Sequence, residues 1–257
     1  MFKIIAGPCQ HESYEHSSTL IKHLLATHHG QPSPELFDVY FKASFDKANR
    51  TNMTSKRGLG LEQTLSDFTR LKETYPNTKI VTDVHEREQI SSVAKVVDVI
   101  QIPAFLCRQT DLILEACDSG CIVNIKKGQF LSPNEVDGIM SKTSNAKEVW
   151  ITERGSSFGY NTLVVDMRGI YIMKEAGYTV IFDGTHSCQS PGGLGKSSGG
   201  NRDHVAPLCR AATAVGVDGL FMEVHDDPDN APSDGPNMVT PDMYRDIVYS
   251  TRRLLKA

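Results

Sequence analysis

Between Phe41 and Thr51 the chain reads FKASFDKANRT, which places Lys42, Lys47 and Arg50 within nine residues. Arginine offers a planar fork of donors and lysine a compact charge, so the run suits a loop that grips a phosphate and orients a neighbouring carboxylate. Taken alone, a K-x-x-x-x-K-x-x-R run is better read as a solvated charge cluster. Seven further segments of the same form change that reading. Short β-branched runs end on Cys9 with Gln10 and Glu12, on Asp83 with His85 and Glu86, on Gln101, and on Lys126 with Lys127. Others end on Glu153 with Arg154, on Asp183 with His186 and Gln189, and on Glu223 with His225.

These groups divide by chemistry. Lys42, Lys47, Arg50, Lys126 and Arg154 would make a local positive bowl, suited to a substrate carrying several negative charges, such as a phosphorylated acid or sugar. Each cation by itself reads as a surface ion pair. The second set, Cys9, His186, Glu223 and Asp234, combines a thiolate, an imidazole and two carboxylates, which suits iron, zinc or manganese better than calcium. Spacing alone favours an inert buried cysteine beside an unrelated histidine.

The elements that must position these groups follow from periodicity. Runs at 3–6, 39–42, 79–83, 96–102, 122–126, 148–153, 179–183 and 219–223 read as strands, separated by segments with apolar residues three and four apart, such as Leu61, Leu65, Phe68 and Leu71. Ser132-Pro133 reads as the cap and first turn of a fifth helix, and Gly120 and Gly177 sit where helices should end. Strands separated by helices this regularly imply parallel pairing through right-handed crossovers, and eight such units fit a single-domain (β/α)8 barrel over residues 1–257. Chemistry then belongs at the carboxyl ends of the strands, and closure brings the first, seventh and eighth strands together around the soft ligand set. Two loops, at 191–200 and 226–238, are long enough to be binding loops.

Of the 257 residues, 39% are hydrophobic and 23% charged, as in an ordinary globular protein, and the net charge of −4 argues against non-specific nucleic-acid binding. No apolar run approaches a membrane span, and six scattered cysteines without paired spacing argue against a disulfide framework. The expectation is a cytoplasmic protein with neither nucleic-acid nor membrane partner. His11, His16, His23, His28 and His29 read as solvent-facing. Trp150 reads as a strand residue packed on a helix, and Cys188 as a thiol reactive through its neighbour His186.

The stretches IAGPC with Glu12-Ser13, FKASFDKANR, TDVHE, IQIPAFLCRQTDL, VNIKKGQF, TERGSSFGYNTLVVDMR, FDGTHSCQSPGG and GLFMEVH resemble, along nearly the whole chain, the 3-deoxy-D-manno-octulosonate 8-phosphate synthases. The resemblance implies condensation of phosphoenolpyruvate with arabinose 5-phosphate and release of phosphate, in lipopolysaccharide biosynthesis. It implies that Lys47, Lys126 and Arg154 hold phosphoenolpyruvate, with Gln101 and Lys42 nearby. Asn49, Arg50 and Thr51 would meet arabinose 5-phosphate, with Gln189 also in the substrate site. Asp83, His85 and His186 would join Lys42 and Lys47 at the reacting end. Phe105 and Arg108 would complete the site of a neighbouring subunit in a homotetramer. Cys9 matches the metal-dependent branch, with His186, Glu223 and Asp234 as the remaining ligands of a divalent ion, whereas Asp234-Gly235-Pro236 resembles the form of the metal-independent branch. Two other readings compete: a heptulosonate synthase using erythrose 4-phosphate, disfavoured by Asn49-Arg50, and a catalytically silent sugar-phosphate-binding barrel.

Overall fold

A computed structural model describes residues 1–28, 36–50, 52–193 and 198–256. Eight parallel strands close into a barrel: β1 (Phe2–Gln10), β2 (Phe37–Ser44), β3 (Lys79–Asp83), β4 (Val99–Ile102), β5 (Ile122–Lys126), β6 (Val149–Glu153), β7 (Thr179–Asp183) and β8 (Gly219–Glu223). β1 pairs with both β2 and β8, so the first strand closes the ring. The single-domain (β/α)8 barrel expected from the alternation is borne out. The fourth strand starts at Val99 rather than 96, and the first runs on to Gln10, beyond the expected 3–6.

The intervening helices are α1 (Tyr14–His28), α2 (Leu61–Thr74), α3 (Arg87–Val93), α4 (Thr110–Asp118), α5 (Val136–Met140), α6 (Met167–Glu175), α7 (Val205–Val215) and α8 (Pro241–Leu255). Ser132 and Glu135 form a reciprocal capping box ahead of α5 with Pro133 in the first turn, as the sequence suggested. Gly120 and Gly177 have φ of 79° and 85°, left-handed positions that let the chain leave α4 and α6.

Alternation along the strands sorts side chains onto two faces. One face packs with the helices in a continuous apolar layer that includes Ile4, Phe41, Phe68, Ile100, Ile151 and Val180. The other fills the barrel's lower half with Ile5, Tyr40, Val81, Val99, Trp150, Ile181 and Phe221. Trp150 therefore lies inside the barrel, edge-on to Tyr40, and not against a helix as its strand position suggested. The same parity, two residues further on, turns Lys42, Asp83, Gln101 and Glu223 toward the upper barrel, where apolar packing gives way to charge.

Candidate active site

β1 deviates where the site begins. Ala6 pairs with Phe41 but Cys9 pairs with Ala43, so three steps on β1 span two on β2, a bulge containing Pro8. Cys9 has φ of 67°, left-handed for a residue with a side chain, and its Sγ lies 3.3 Å from Asp234 Oδ2. Asp234 is also left-handed, with φ of 54°. Such conformations persist where surrounding structure over-determines them.

His186, just past β7, points Nδ1 at Asp183 Oδ2 across 2.7 Å, leaving Nε2 3.6 Å from Glu223 Oε1 and 3.8 Å from Asp234 Oδ2. Cys9, Glu223 and Asp234 bring ligand atoms within 4.8 Å of one another. Both carboxylate oxygens of Glu223 are buried without a hydrogen-bond partner. An unsatisfied buried carboxylate is costly, and a cation between Glu223, Cys9, Asp234 and His186 Nε2 would satisfy it. The four residues fit a divalent ion. Without one, burial and the nearby Glu223 carboxylate push the Cys9 thiol well up. Burial works against charge on His186, but Asp183 and Glu223 more than reverse this and raise it to about 9.

Above this set opens a cavity of about 640 Å³. All five expected cations line it, together with Asn49, Asp83, His85, Gln101, Phe105, His186, Gln189, Glu223 and Asp234. Lys42 and Lys47 both donate to Ser44 Oγ, at 2.7 and 3.0 Å, while Ser44 Oγ donates to Asp83 Oδ1. Lys126 is paired with Asp183 and stands 3.4 Å above the centre of the Phe221 ring. Its burial, with Arg154 and Lys42 adding repulsion against the pull of Asp183, lowers it to about 8. Arg154 donates to Gln189 Oε1 at 2.9 Å, while its Nε is buried without a partner and so free to take an acceptor. His85 Nε2 lies 3.2 Å from Asp83 Oδ2. Arg50 reaches across the mouth to Gln10 Oε1, Ser233 Oγ and the Pro232 carbonyl, joining the loop after β2 to the loop that bears Asp234.

Several expectations change. Cys9 lies beneath the cavity and does not line its wall, because the bulge turns its thiol toward Asp234. Arg108 is exposed and outside the lining, whereas Phe105, 60% exposed, stands at the edge. Thr51 and His29 lie outside the described residues, as do 194–197 of the 191–200 loop. The ends of that loop pair as a short antiparallel ribbon, Gln189–Ser190 with Gly199–Gly200. His11 is wholly buried between Ser17 and Asp67 instead of facing solvent, and His28 is buried against Tyr244. Cys188 is buried, donates to the Gly184 carbonyl at 3.2 Å, and has its thiol pushed up to about 12 by burial and Asp183, the opposite of the activation expected from its neighbour His186.

Sequence reasoning overlooked Ser44, the oxygen shared by both lysines, and gave no role to Asp183. Ser44 sits two residues past Lys42 on the same face, so strand parity could have placed it beside Lys42 but not named its partner Asp83. Nothing local marks Asp183 as the partner of Lys126, 57 residues away.

Residues 1–255 match the DAHP synthetase I family, and the chain belongs to that family. The 2-dehydro-3-deoxyphosphooctonate aldolase of Brucella anthropi is 53% identical over 244 residues, covering 94% of this chain and 86% of that protein. The protein of the same name from Rickettsia bellii is 52% identical over 254 residues, covering 98% and 91%. The resemblance to the octulosonate-phosphate enzymes is borne out, and the heptulosonate alternative is not favoured.

Proposed function

We propose that this protein condenses phosphoenolpyruvate with D-arabinose 5-phosphate and water, giving 3-deoxy-D-manno-octulosonate 8-phosphate and inorganic phosphate. The observation that supports it best is the convergence of five cations on one cavity beside a partly buried Cys-His-Glu-Asp set whose glutamate oxygens have no hydrogen-bond partner. Lys47, Lys126 and Arg154 hold the phosphate and carboxylate of phosphoenolpyruvate, with Gln101 and Lys42 against the same molecule. The buried, unpartnered Nε of Arg154 supports this role. Asn49, Arg50 and Thr51 receive the acceptor's phosphate. Arg50 must then exchange some of its bonds to Pro232 and Ser233 for phosphate oxygens.

The chemistry needs no side-chain nucleophile. The terminal carbon of phosphoenolpyruvate adds to the sugar aldehyde, water adds at the second carbon as positive charge develops there, and phosphate leaves by carbon–oxygen cleavage. The residues supply orientation of two mutually repelling anions and fixed charge around them. Asp183 holds His186 and Lys126 in place, and Asp83 with His85 shapes the end where the aldehyde arrives. A divalent ion of the iron, zinc or manganese class, held by Cys9, His186, Glu223 and Asp234, would supply Lewis acidity toward the water or the aldehyde. Phe105 and Arg108 reach the site of a neighbouring subunit in a homotetramer, which their exposure supports. The protein works in the cytoplasm without membrane or nucleic-acid partners, and no helix among the described residues is long and apolar enough to cross a membrane.

Phosphate release is the test, measured on chelator-stripped protein before and after manganese, iron or zinc is returned, with arabinose 5-phosphate and erythrose 4-phosphate competing as acceptors. Metal-restored turnover of the pentose is expected. Undiminished turnover after stripping would overturn the metal reading, and preference for erythrose 4-phosphate would overturn the substrate reading.

A further inference from the structure

A second cluster of ligand-type side chains lies outside the cavity, where the chain leaving β1, the start of α1 and the chain leaving β8 meet. Glu12 Oε1 is 2.8 Å from His225 Nε2 and 3.7 Å from His16 Nδ1. The three residues bring ligand atoms within 4.8 Å of one another. The two imidazole rings stand 4.8 Å apart between centres. None of the three lines the catalytic cavity.

The hydrogen bonding around His16 shows what is missing. Asp226 Oδ1 lies 2.9 Å from His16 Nε2. A carboxylate oxygen can only accept, so the Nε2 proton points at Asp226. In the tautomer that carries its proton on Nε2, Nδ1 presents a lone pair inward. That nitrogen is buried and has no hydrogen-bond partner, yet it faces an oxygen of Glu12. Two acceptors confront each other in a partly buried place, an arrangement that calls for a positive charge between them.

We propose that Glu12, His16 and His225 form a second divalent metal site, of the two-histidine, one-carboxylate type, for zinc or a similar borderline transition ion. Zinc holds imidazole nitrogen and carboxylate oxygen at about 2.0–2.1 Å, which sets the edge of a tetrahedral site near ~3.3 Å. Glu12 and His16 need close by only ~0.4 Å and Glu12 and His225 open by ~0.5 Å, movements within side-chain rotation. Coordination through His225 Nε2 requires the ring proton on Nδ1, where Asp226 Oδ1 waits 3.3 Å away. The backbone N–H of Asp227, which donates to that nitrogen at 2.9 Å, belongs to an exposed residue and can turn to water. Asp226 thus stands behind both rings, as outer carboxylates do at histidine metal sites. Two imidazoles select against calcium and magnesium. The Glu12 side chain is 34% exposed, which leaves an entry path and room for a water in the fourth position.

This site is independent of the catalytic-ion reading, and the experiment separates them. Stripped protein is titrated with zinc and the bound metal counted after desalting. Two equivalents are expected for the parent and one each for His16→Ala and Cys9→Ala. Cobalt(II) gives a spectral readout that distinguishes the two sites, because only the Cys9 site adds a thiolate charge-transfer band in the near ultraviolet. His16→Ala should keep that band while losing one equivalent of cobalt. Asp226→Asn, which keeps all three ligands, should weaken the second equivalent roughly 10–100-fold. If the parent binds one equivalent that His16→Ala abolishes, this site stands and the catalytic ion falls. The proposal is overturned if His16→Ala binds as much zinc as the parent, or if Cys9→Ala alone removes all of it.

Discussion

Replacing Asp183 by asparagine tests the charge logic beneath the cavity. Asp183 is completely buried and meets five donors. Its Oδ1 accepts from Thr185 N, Thr185 Oγ1 and His186 N at 3.1, 3.0 and 2.9 Å, and its Oδ2 accepts from His186 Nδ1 and Lys126 Nζ. An asparagine that keeps its oxygen on the first three groups must turn its NH2 toward the last two, where donor meets donor. Lys126 and His186 are then left charged, or forced neutral, without their acceptor. Removing one partner of a buried ion pair costs about 3–5 kcal/mol. With a urea slope near ~3 kcal/mol per M for a chain of this size, the unfolding midpoint should fall by roughly 1–1.7 M. Loss of the group orienting His186 should also weaken zinc binding at the Cys9 site roughly 10–100-fold. Urea unfolding followed by circular dichroism and zinc titration of His16→Ala protein, with and without Asp183→Asn, read the two effects separately. A variant within about 1 kcal/mol of the parent, with parental zinc affinity, would refute the assignment of Asp183 as the acceptor that fixes both cations.

Three further outcomes follow from the same geometry. Lys126, lowered to about 8, should make kcat/KM for phosphoenolpyruvate fall about tenfold per pH unit above that point; Lys126→Arg should remove this alkaline limb whatever its absolute rate, and an unchanged limb would assign it to another group. His186, raised to about 9, should stabilise the metal-free fold by ~3 kcal/mol below pH ~6.5, a contribution lost as pH rises through about 9; the difference in unfolding free energy between parent and His186→Gln should decline over that window, and a flat difference would contradict the pairing with Asp183. Gly7→Ala would put a Cβ 2.0 Å from the Lys42 carbonyl oxygen, so β1 and β2 must part at the bulge; loss of at least ~3 kcal/mol, or insoluble protein, is expected, and near-parental thermal unfolding would show that the strands can yield there.

Strand parity and helix periodicity are local properties, which is why the eight-fold alternation and the rim of strand ends were legible from the chain alone. Lys42, Lys47, Lys126 and Arg154 could be assigned to one side of a barrel because each ends a β-branched run or follows shortly after one, and closure of a parallel sheet must gather such ends. The opposite fates of Trp150 and of the helix-facing strand residues were not legible, since both faces of a buried parallel strand are apolar and local pattern does not say which is inside. His11 was misjudged for a related reason: Ser17 meets one ring nitrogen locally, but the other is satisfied by Asp67, 56 residues away, and burial needs both.

The sequence by itself determined which residue types reach the rim and, through the family motifs, what reaction they serve. Tertiary structure alone decided that Ser44 joins two lysines to Asp83, that Asp183 anchors Lys126 and His186, and that Glu12, His16 and His225 meet outside the barrel. Each of these depends on distance and donor direction between elements far apart in the chain, and such quantities are fixed only when the barrel closes.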